Sequence, residues 1–154
     1  MGSLMEAVEK FLVDDNWSFH RLENKPILRM GFKGRNGRWE CMARIREEAG
    51  QIIYYSSLAA FVPEEKRLAL AEFITRANYG MYIGNFEMDF VDGEVRFKTS
   101  LDVEGVEETL TPTVIRHLIY ANVSMMDKYF PGLMSVVYCD VVPAEAIAKI
   151  EGRE

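Results

Sequence analysis

A base that titrates near neutrality and a thiolate nucleophile are offered only by His20, His117, Cys41 and Cys139 in this 154-residue chain. Covalent catalysis needs the two groups within hydrogen-bond reach of each other. His20 falls on the polar face of a predicted strand and His117 on the polar stripe of a predicted helix. No local spacing brings either to a cysteine. A zinc site would show paired short Cys/His spacings, and there are none. Gly31, Gly34 and Gly37 lie in a predicted hairpin rather than a strand-to-helix turn, so they do not form a phosphate-cradling loop. Walker, kinase, hydrolase-elbow and dinucleotide motifs are all missing. Asp89 and Asp92 resemble the opening of a calcium loop without its later oxygen ligands and terminal glutamate. The pairs Asp14-Asp15, Glu47-Glu48 and Glu107-Glu108 sit at helix ends and turns. The expectation is a protein that is not an enzyme and carries no cofactor or metal; the alternative is a small enzyme with an unrecognised site.

What remains for chemistry is charge. The net charge of −6 disfavours generic nucleic-acid binding, but it is unevenly placed. Between Arg21 and Arg46, eight basic residues face two acidic ones, a local +6, which leaves 10 basic and 22 acidic residues, or −12, elsewhere. Arg29, Lys33, Arg35, Arg38, Arg44 and Arg46 could form an anion- or nucleic-acid-binding face with Trp39 as a stacking residue. Trp39 alternates with the basic positions, however, and so points to the core. The simpler reading is that the arginines splay into water, and nucleic acid is the weaker of the binding readings.

The elements that must carry these residues follow from periodicity. A hydrophobic content of 49% argues for an ordered core, and residues 1–154 read as a single domain. Ser3 and Glu6 have capping-box spacing ahead of a helix with the stripe Leu4, Val8, Phe11 and Leu12. Trp17 to Leu22 reads as a first strand, irregular or at an edge. Asn36-Gly37 predicts a two-residue hairpin turn pairing Lys33 with Glu40, Phe32 with Cys41, Met30 with Ala43 and Leu28 with Ile45. The same register sets Arg29 opposite Arg44, an unfavourable like-charge pair. Gln51 to Leu58 is nearly continuous in apolar residues, as for a central strand covered on both faces. Pro63 opens a helix whose stripe is Leu68, Ala71, Ile74 and Ala77, broadened by Leu70 and Phe73 and ended by Gly80. Asp92-Gly93 predicts a second hairpin with Phe90–Val95 and Met88–Phe97 on one face and Asp89–Arg96 and Glu87–Lys98 on the other.

Thr111 caps and Pro112 starts a long helix whose polar residues converge on one stripe: Thr113, Arg116, His117, Ser124, Asp127, Lys128 and Ser135. The rest of its circumference is apolar, more than one sheet requires, so a second body should cover it. Pro131 predicts a kink or a fresh helix start. Asn122 lies in the middle of the apolar arc. It either hydrogen-bonds a neighbouring segment or sets the register of a helix-on-helix contact with a second subunit. Met125, Met126 and Met134 suit an adaptable partner surface, or ordinary core. A short helix from Pro143 to Ile150 closes the chain. Charges and Pro131 interrupt the longest apolar run, so no membrane span is expected. No secretory signal is visible, and Met1-Gly2-Ser3 reads as an added leader with Met5 as the native start. Cys41 and Cys139 read as buried free thiols of a cytoplasmic protein.

Val62-Pro63-Glu64-Glu65-Lys66-Arg67 through Asn78, then Gly84-Asn85-Phe86-Glu87-Met88-Asp89 with Asp92-Gly93-Glu94-Val95, resemble the YbjN family of bacterial sensory-transduction regulators. Asp127-Lys128-Tyr129-Phe130-Pro131-Gly132-Leu133-Met134 is similar to its cyanobacterial members. The resemblance spans about Leu4 to Ile150. It implies the α+β fold of type III secretion chaperones, an antiparallel sheet of two hairpins packed against helices in the order α-β(β)ββ-α-ββ-α. It also implies a non-enzymatic, chaperone-like or regulatory protein that forms a homodimer and binds other proteins. It transfers no catalytic residue. The candidate partner-binding residues are Asn122, Met125, Met126, Met134, Arg29, Arg44 and Arg46.

Overall fold

The computed structural model describes residues 3–152; Met1 and Gly2, where the added leader was expected, lie outside that range. In chain order the elements are α1 (Leu4–Asp14), β1 (Phe19–Arg21), β2 (Ile27–Lys33), β3 (Arg38–Arg46), β4 (Gln51–Ser57), α2 (Arg67–Asn78), β5 (Asn85–Met88), β6 (Val95–Asp102), α3 (Pro112–Tyr138) and α4 (Pro143–Glu151). The strands form one antiparallel sheet in the order β1-β2-β3-β4-β6-β5. This is the α+β architecture expected from the sequence, and the doubtful first strand is a three-residue edge.

Helix α1 starts where Ser3 Oγ accepts the Glu6 amide, half of the capping box. A residue remote in sequence completes the cap. The Glu47 carboxylate accepts the Leu4 and Met5 amides at 3.1 and 2.8 Å, using the positive end of the helix. In α2 the buried face is Leu70, Phe73, Ile74 and Ala77. Leu68, expected in that stripe, is 79% exposed: a strict three-residue repeat drifts around a 3.6-residue helix, so Leu68 ends on the side opposite Ala77.

The sheet is covered on one face only. Leu28, Met30, Trp39, Cys41, Ala43, Ile45, Ile52, Tyr54, Val95 and Phe97 point to the helices and are buried. Strand β4 is therefore central but not covered twice: Ile53 and Tyr55 on its other face are half-buried. Helix α3 lies on β4 and β6 and is flanked by α1, α2 and α4. The second body over the long helix is thus the chain's own helices.

Both hairpins keep the predicted faces but pair two residues out of the predicted register. In the first, Phe32 pairs with Trp39, Met30 with Cys41 and Leu28 with Ala43, so the turn centres on Arg35-Asn36. The cause lies on α3. Asp127 accepts the Arg35 and Asn36 amides at 3.1 and 2.8 Å, an anchor the local Asn-Gly signal cannot reveal. Arg29 now faces Met42, and Arg44 faces Ile27, so the expected like-charge pair disappears. In the second hairpin, Met88 pairs with Val95, Phe86 with Phe97 and Glu87 with Arg96. Its longer loop closes through Gly93 N to Asp89 O at 2.7 Å and is pinned by Val62 N to Gly93 O at 2.8 Å.

Helix α3 is continuous through Pro131, so no fresh helix starts there. Proline leaves the carbonyl four residues earlier without its helical donor. That carbonyl belongs to Asp127, and Asn36 Nδ2 donates to it at 3.0 Å. The hairpin tip thus supplies what the helix lacks. Gly34 and Gly37 allow the approach, since a Cβ at either would lie 2.3 Å from Asp127 Oδ1 or from the Phe130 ring.

Cys41 is buried, but Cys139, the residue that ends α3, is exposed, correcting the expectation of two buried thiols. Burial pushes the Cys41 thiol up, away from its reactive form. A thiol reagent should therefore titrate Cys139 rapidly in native protein and Cys41 only after denaturation. Equal rates at both sites, measured by mass mapping of the labelled peptides, would refute the burial assignment.

Candidate partner-binding interface

A recess lined mainly by apolar side chains lies over α3, beside the loop joining α2 to β5. Helix α2 ends as Tyr79 turns extended, and Gly80 at φ +85° directs the next residues outward. Tyr79, Tyr82 and Ile83 are consequently 81, 102 and 60% exposed. Between this loop and α3 is a groove of about 570 Å³ bordered by Met81, Ala121, Ser124 and Met125. Small side chains at Ala121 and Ser124 leave room there, and Lys128 lies at the rim with its ammonium 5.5 Å from the Tyr129 ring. A flexible thioether beside exposed aromatic rings is a surface that can repack around an apolar side chain from another molecule.

The predicted site residues do not all converge there. Met125 lines the groove, whereas Met126 is wholly buried and Met134 is half-buried against the core. Asn122 is also wholly buried, which corrects its partner-facing role. Its Oδ1 accepts the Ser56 hydroxyl at 2.6 Å. Its Nδ2 donates to Tyr54 O at 2.8 Å, to Phe97 O at 3.1 Å and to Thr99 Oγ1 at 3.2 Å. Ser56 in turn accepts Trp39 Nε1 at 3.0 Å, and Thr99 donates to Leu118 O at 2.9 Å. The amide fastens α3 to β4 and β6 within one chain.

Arg29, Arg44 and Arg46 lie on the uncovered sheet face, all exposed. The register places His20, Arg29, Met42, Tyr55 and Lys98 in one row across the strands, and Ile27, Arg44, Ile53 and Ser100 in the next. Trp39 is buried on the opposite face, as its alternation implied. The sequence reading missed Tyr79, Tyr82 and Ile83. Their signal was an apolar run, Tyr79-Gly80-Met81-Tyr82-Ile83, that fits neither the helical nor the strand period.

The remaining polar groups are structural. Tyr120 donates to Asp15 at 2.6 Å, which with Trp17 and Arg116 holds that carboxyl below the usual carboxylate range despite partial burial. The Tyr54 hydroxyl is buried with no hydrogen-bond partner, and burial, then the nearby Cys41, pushes its phenol well above the ordinary value. His20 and His117 are exposed on separate elements. Among the described residues no three His, Cys, Asp or Glu side chains converge as metal ligands would, and no helix is long and apolar enough to cross a membrane.

The motif residues quoted from the sequence act as latches. Asn78 at the end of α2 closes the free edge of β5, accepting Phe86 N at 2.7 Å and donating to Phe86 O at 3.0 Å. Arg67 donates to Val62 O at 3.0 Å and to Phe90 O at 3.1 Å, holding the loop of the second hairpin.

Comparison with known proteins agrees with this reading of the motifs. The YbjN family, described as "Putative bacterial sensory transduction regulator", matches residues 5–134. No curated protein matches the chain. Among solved structures, "YbjN, a putative transcription regulator from E. coli" is similar with a TM-score of 0.60 at 13% identity, over 96% of this chain and 92% of that one. A chain of the ExsC–ExsE complex is similar with a TM-score of 0.50 at 10% identity, over 79% of this chain and 86% of that one. At these identities the likeness is one of fold.

Proposed function

The chain belongs to the YbjN family, and from that premise we propose that it is a cytoplasmic, non-enzymatic protein-binding module, chaperone-like or regulatory, that acts as a homodimer. We take residues 1–154 as one domain. The observation that carries the proposal is the exposed run Tyr79, Tyr82 and Ile83 beside the Met125 groove. Soluble monomers rarely leave large contiguous apolar side chains in water, and such patches mark interaction sites. The α+β scaffold supports the same reading, since a chain of the ExsC–ExsE complex, itself an assembly of proteins, has this fold. Two unpaired cysteines suit a reducing compartment.

Sedimentation velocity at micromolar concentration tests the dimer. The native chain is expected to sediment as a dimer, and Tyr82→Ser with Ile83→Ser as a folded monomer. These positions are exposed in the single chain, so the variant should keep the native circular dichroism spectrum and lose only the stability that association contributed. A native chain that is monomeric throughout removes the homodimer. A double variant that still dimerises moves the interface elsewhere.

A further inference from the structure

We propose that the uncovered face of the sheet is a second docking surface, which takes an acidic amphipathic helix from a partner protein. The inference rests on the protein-binding reading above and adds the surface and the chemistry of the partner. Half-buried Ile27, Met42, Ile53 and Tyr55 form an apolar strip across β2, β3 and β4. Arg29 stands beside Met42 in one row, and Arg44 stands between Ile27 and Ile53 in the next. The two arginines are diagonal in the register, which puts their Cβ atoms roughly 7 Å apart. Arg46 follows Arg44 on the same face of β3, one pleat further, roughly 7 Å on. Among the described residues its guanidinium bonds the neutral Gln51 amide, at 2.5 Å, and no carboxylate.

Of the other cations on this face, Lys33 and Arg38 lie at the turn end of β2 and β3, and the two on β6 are already matched. Arg96 and Lys98 both bind Glu87, and although burial favours its neutral form, these two partners hold that carboxyl low. Arg29 and Arg44 have no ion pair among the described residues. Unmatched guanidinium groups beside an apolar strip complement a helix whose apolar stripe is flanked by carboxylates. A polynucleotide fits less well. Trp39 is buried, Arg96 occupies the Tyr55 ring at 4.2 Å, and Glu40 and Asp102 interrupt any phosphate track on the face.

Fluorescence anisotropy on the full chain tests the assignment. The probe is a fluorescein-labelled amphipathic peptide with a Leu stripe flanked by Glu; the comparators are the same stripe flanked by Lys and a single-stranded oligonucleotide. The Glu peptide is expected to bind, to weaken as salt rises, and to bind Arg29→Glu with Arg44→Glu roughly tenfold more weakly. Should the double reversal fail to fold by circular dichroism, Arg44→Gln reads the same direction of change. Equal affinity for native and variant protein, no binding of the Glu peptide, or tighter binding of the Lys peptide overturns the proposal. An oligonucleotide that binds more tightly than the peptide and is lost in the variant makes the face a nucleic-acid site instead. Sedimentation of the arginine variant is expected to match the native chain. The sheet-face inference can then fail without touching the Tyr82/Ile83 dimer, and the converse also holds.

Discussion

Replacing Asn122 with leucine is expected to destabilise the protein by about 3 kcal/mol, lowering the melting temperature by roughly 10 °C for a chain of this length. The oligomeric state should stay unchanged. The side chain is wholly buried and bonds to two strands: Ser56 donates to its carbonyl, and its amide nitrogen donates to Tyr54 O, Phe97 O and Thr99 Oγ1. Leucine matches its bulk approximately but offers no acceptor to Ser56 and no donor to Thr99, so buried polar atoms lose their partners where water cannot replace them. Removing only one side of a buried pair costs more than removing both. Alanine at Ser56 is not expected to recover the loss, because it would also leave Trp39 Nε1 without its acceptor. Thermal melts followed by circular dichroism give the first number and sedimentation the second. A variant that melts with the native protein would show that the network adds nothing, and one that changes its oligomer would place the amide in an interface after all.

The second large effect is expected at Gly93, which sits at φ +82° in the loop of the second hairpin. A Cβ there would lie 2.2 Å from the Val62 carbonyl oxygen and 2.9 Å from its nitrogen, both backbone atoms that no rotamer change can move. Alanine must add the strain of a left-handed residue to the displacement of a loop that bonds Val62 N to Gly93 O. The expected cost is about 3 kcal/mol. Gly105 is the control. Its φ of +79° is nearly the same, but nothing lies within 4 Å of its would-be Cβ, so Gly105→Ala carries the backbone strain alone, about 1 kcal/mol. Chemical denaturation of the two variants side by side separates conformation from contact. Equal losses would mean that the packing of Gly93 on Val62 is immaterial.

Much of this molecule was legible from the residues. Thr111 caps α3 through the Val114 amide and Pro112 starts it, as their types require. The two hairpins turn near their Asn-Gly and Asp-Gly dipeptides, and the residues of β2, β3 and β6 assigned to the core by alternation lie on that side, whereas Phe90, assigned with them, is exposed in the loop. Family motifs such as Asn78 and Arg67 were visible as a pattern, but their bonding roles were not. Of the candidate site, the arginine face was legible because alternation fixes the side of a sheet. The Tyr79–Ile83 run was not, because no period describes a loop.

The residues alone determined the order of elements and the facing of most strand side chains, because periods of two and 3.6 residues are properties of the local backbone. They did not determine pairing. A slip of two residues leaves every face unchanged, so alternation cannot detect it, and both hairpins took the slipped register. In the first, the choice belongs to Asp127, 91 residues from Asn36 in the chain. The same contact settled the fate of Pro131, whose missing donor is replaced by the Asn36 side chain. The partner of Asn122 was likewise decided by which surface α3 meets once the sheet has formed. These are bonds between segments distant in sequence, and only the tertiary structure brings their atoms within reach.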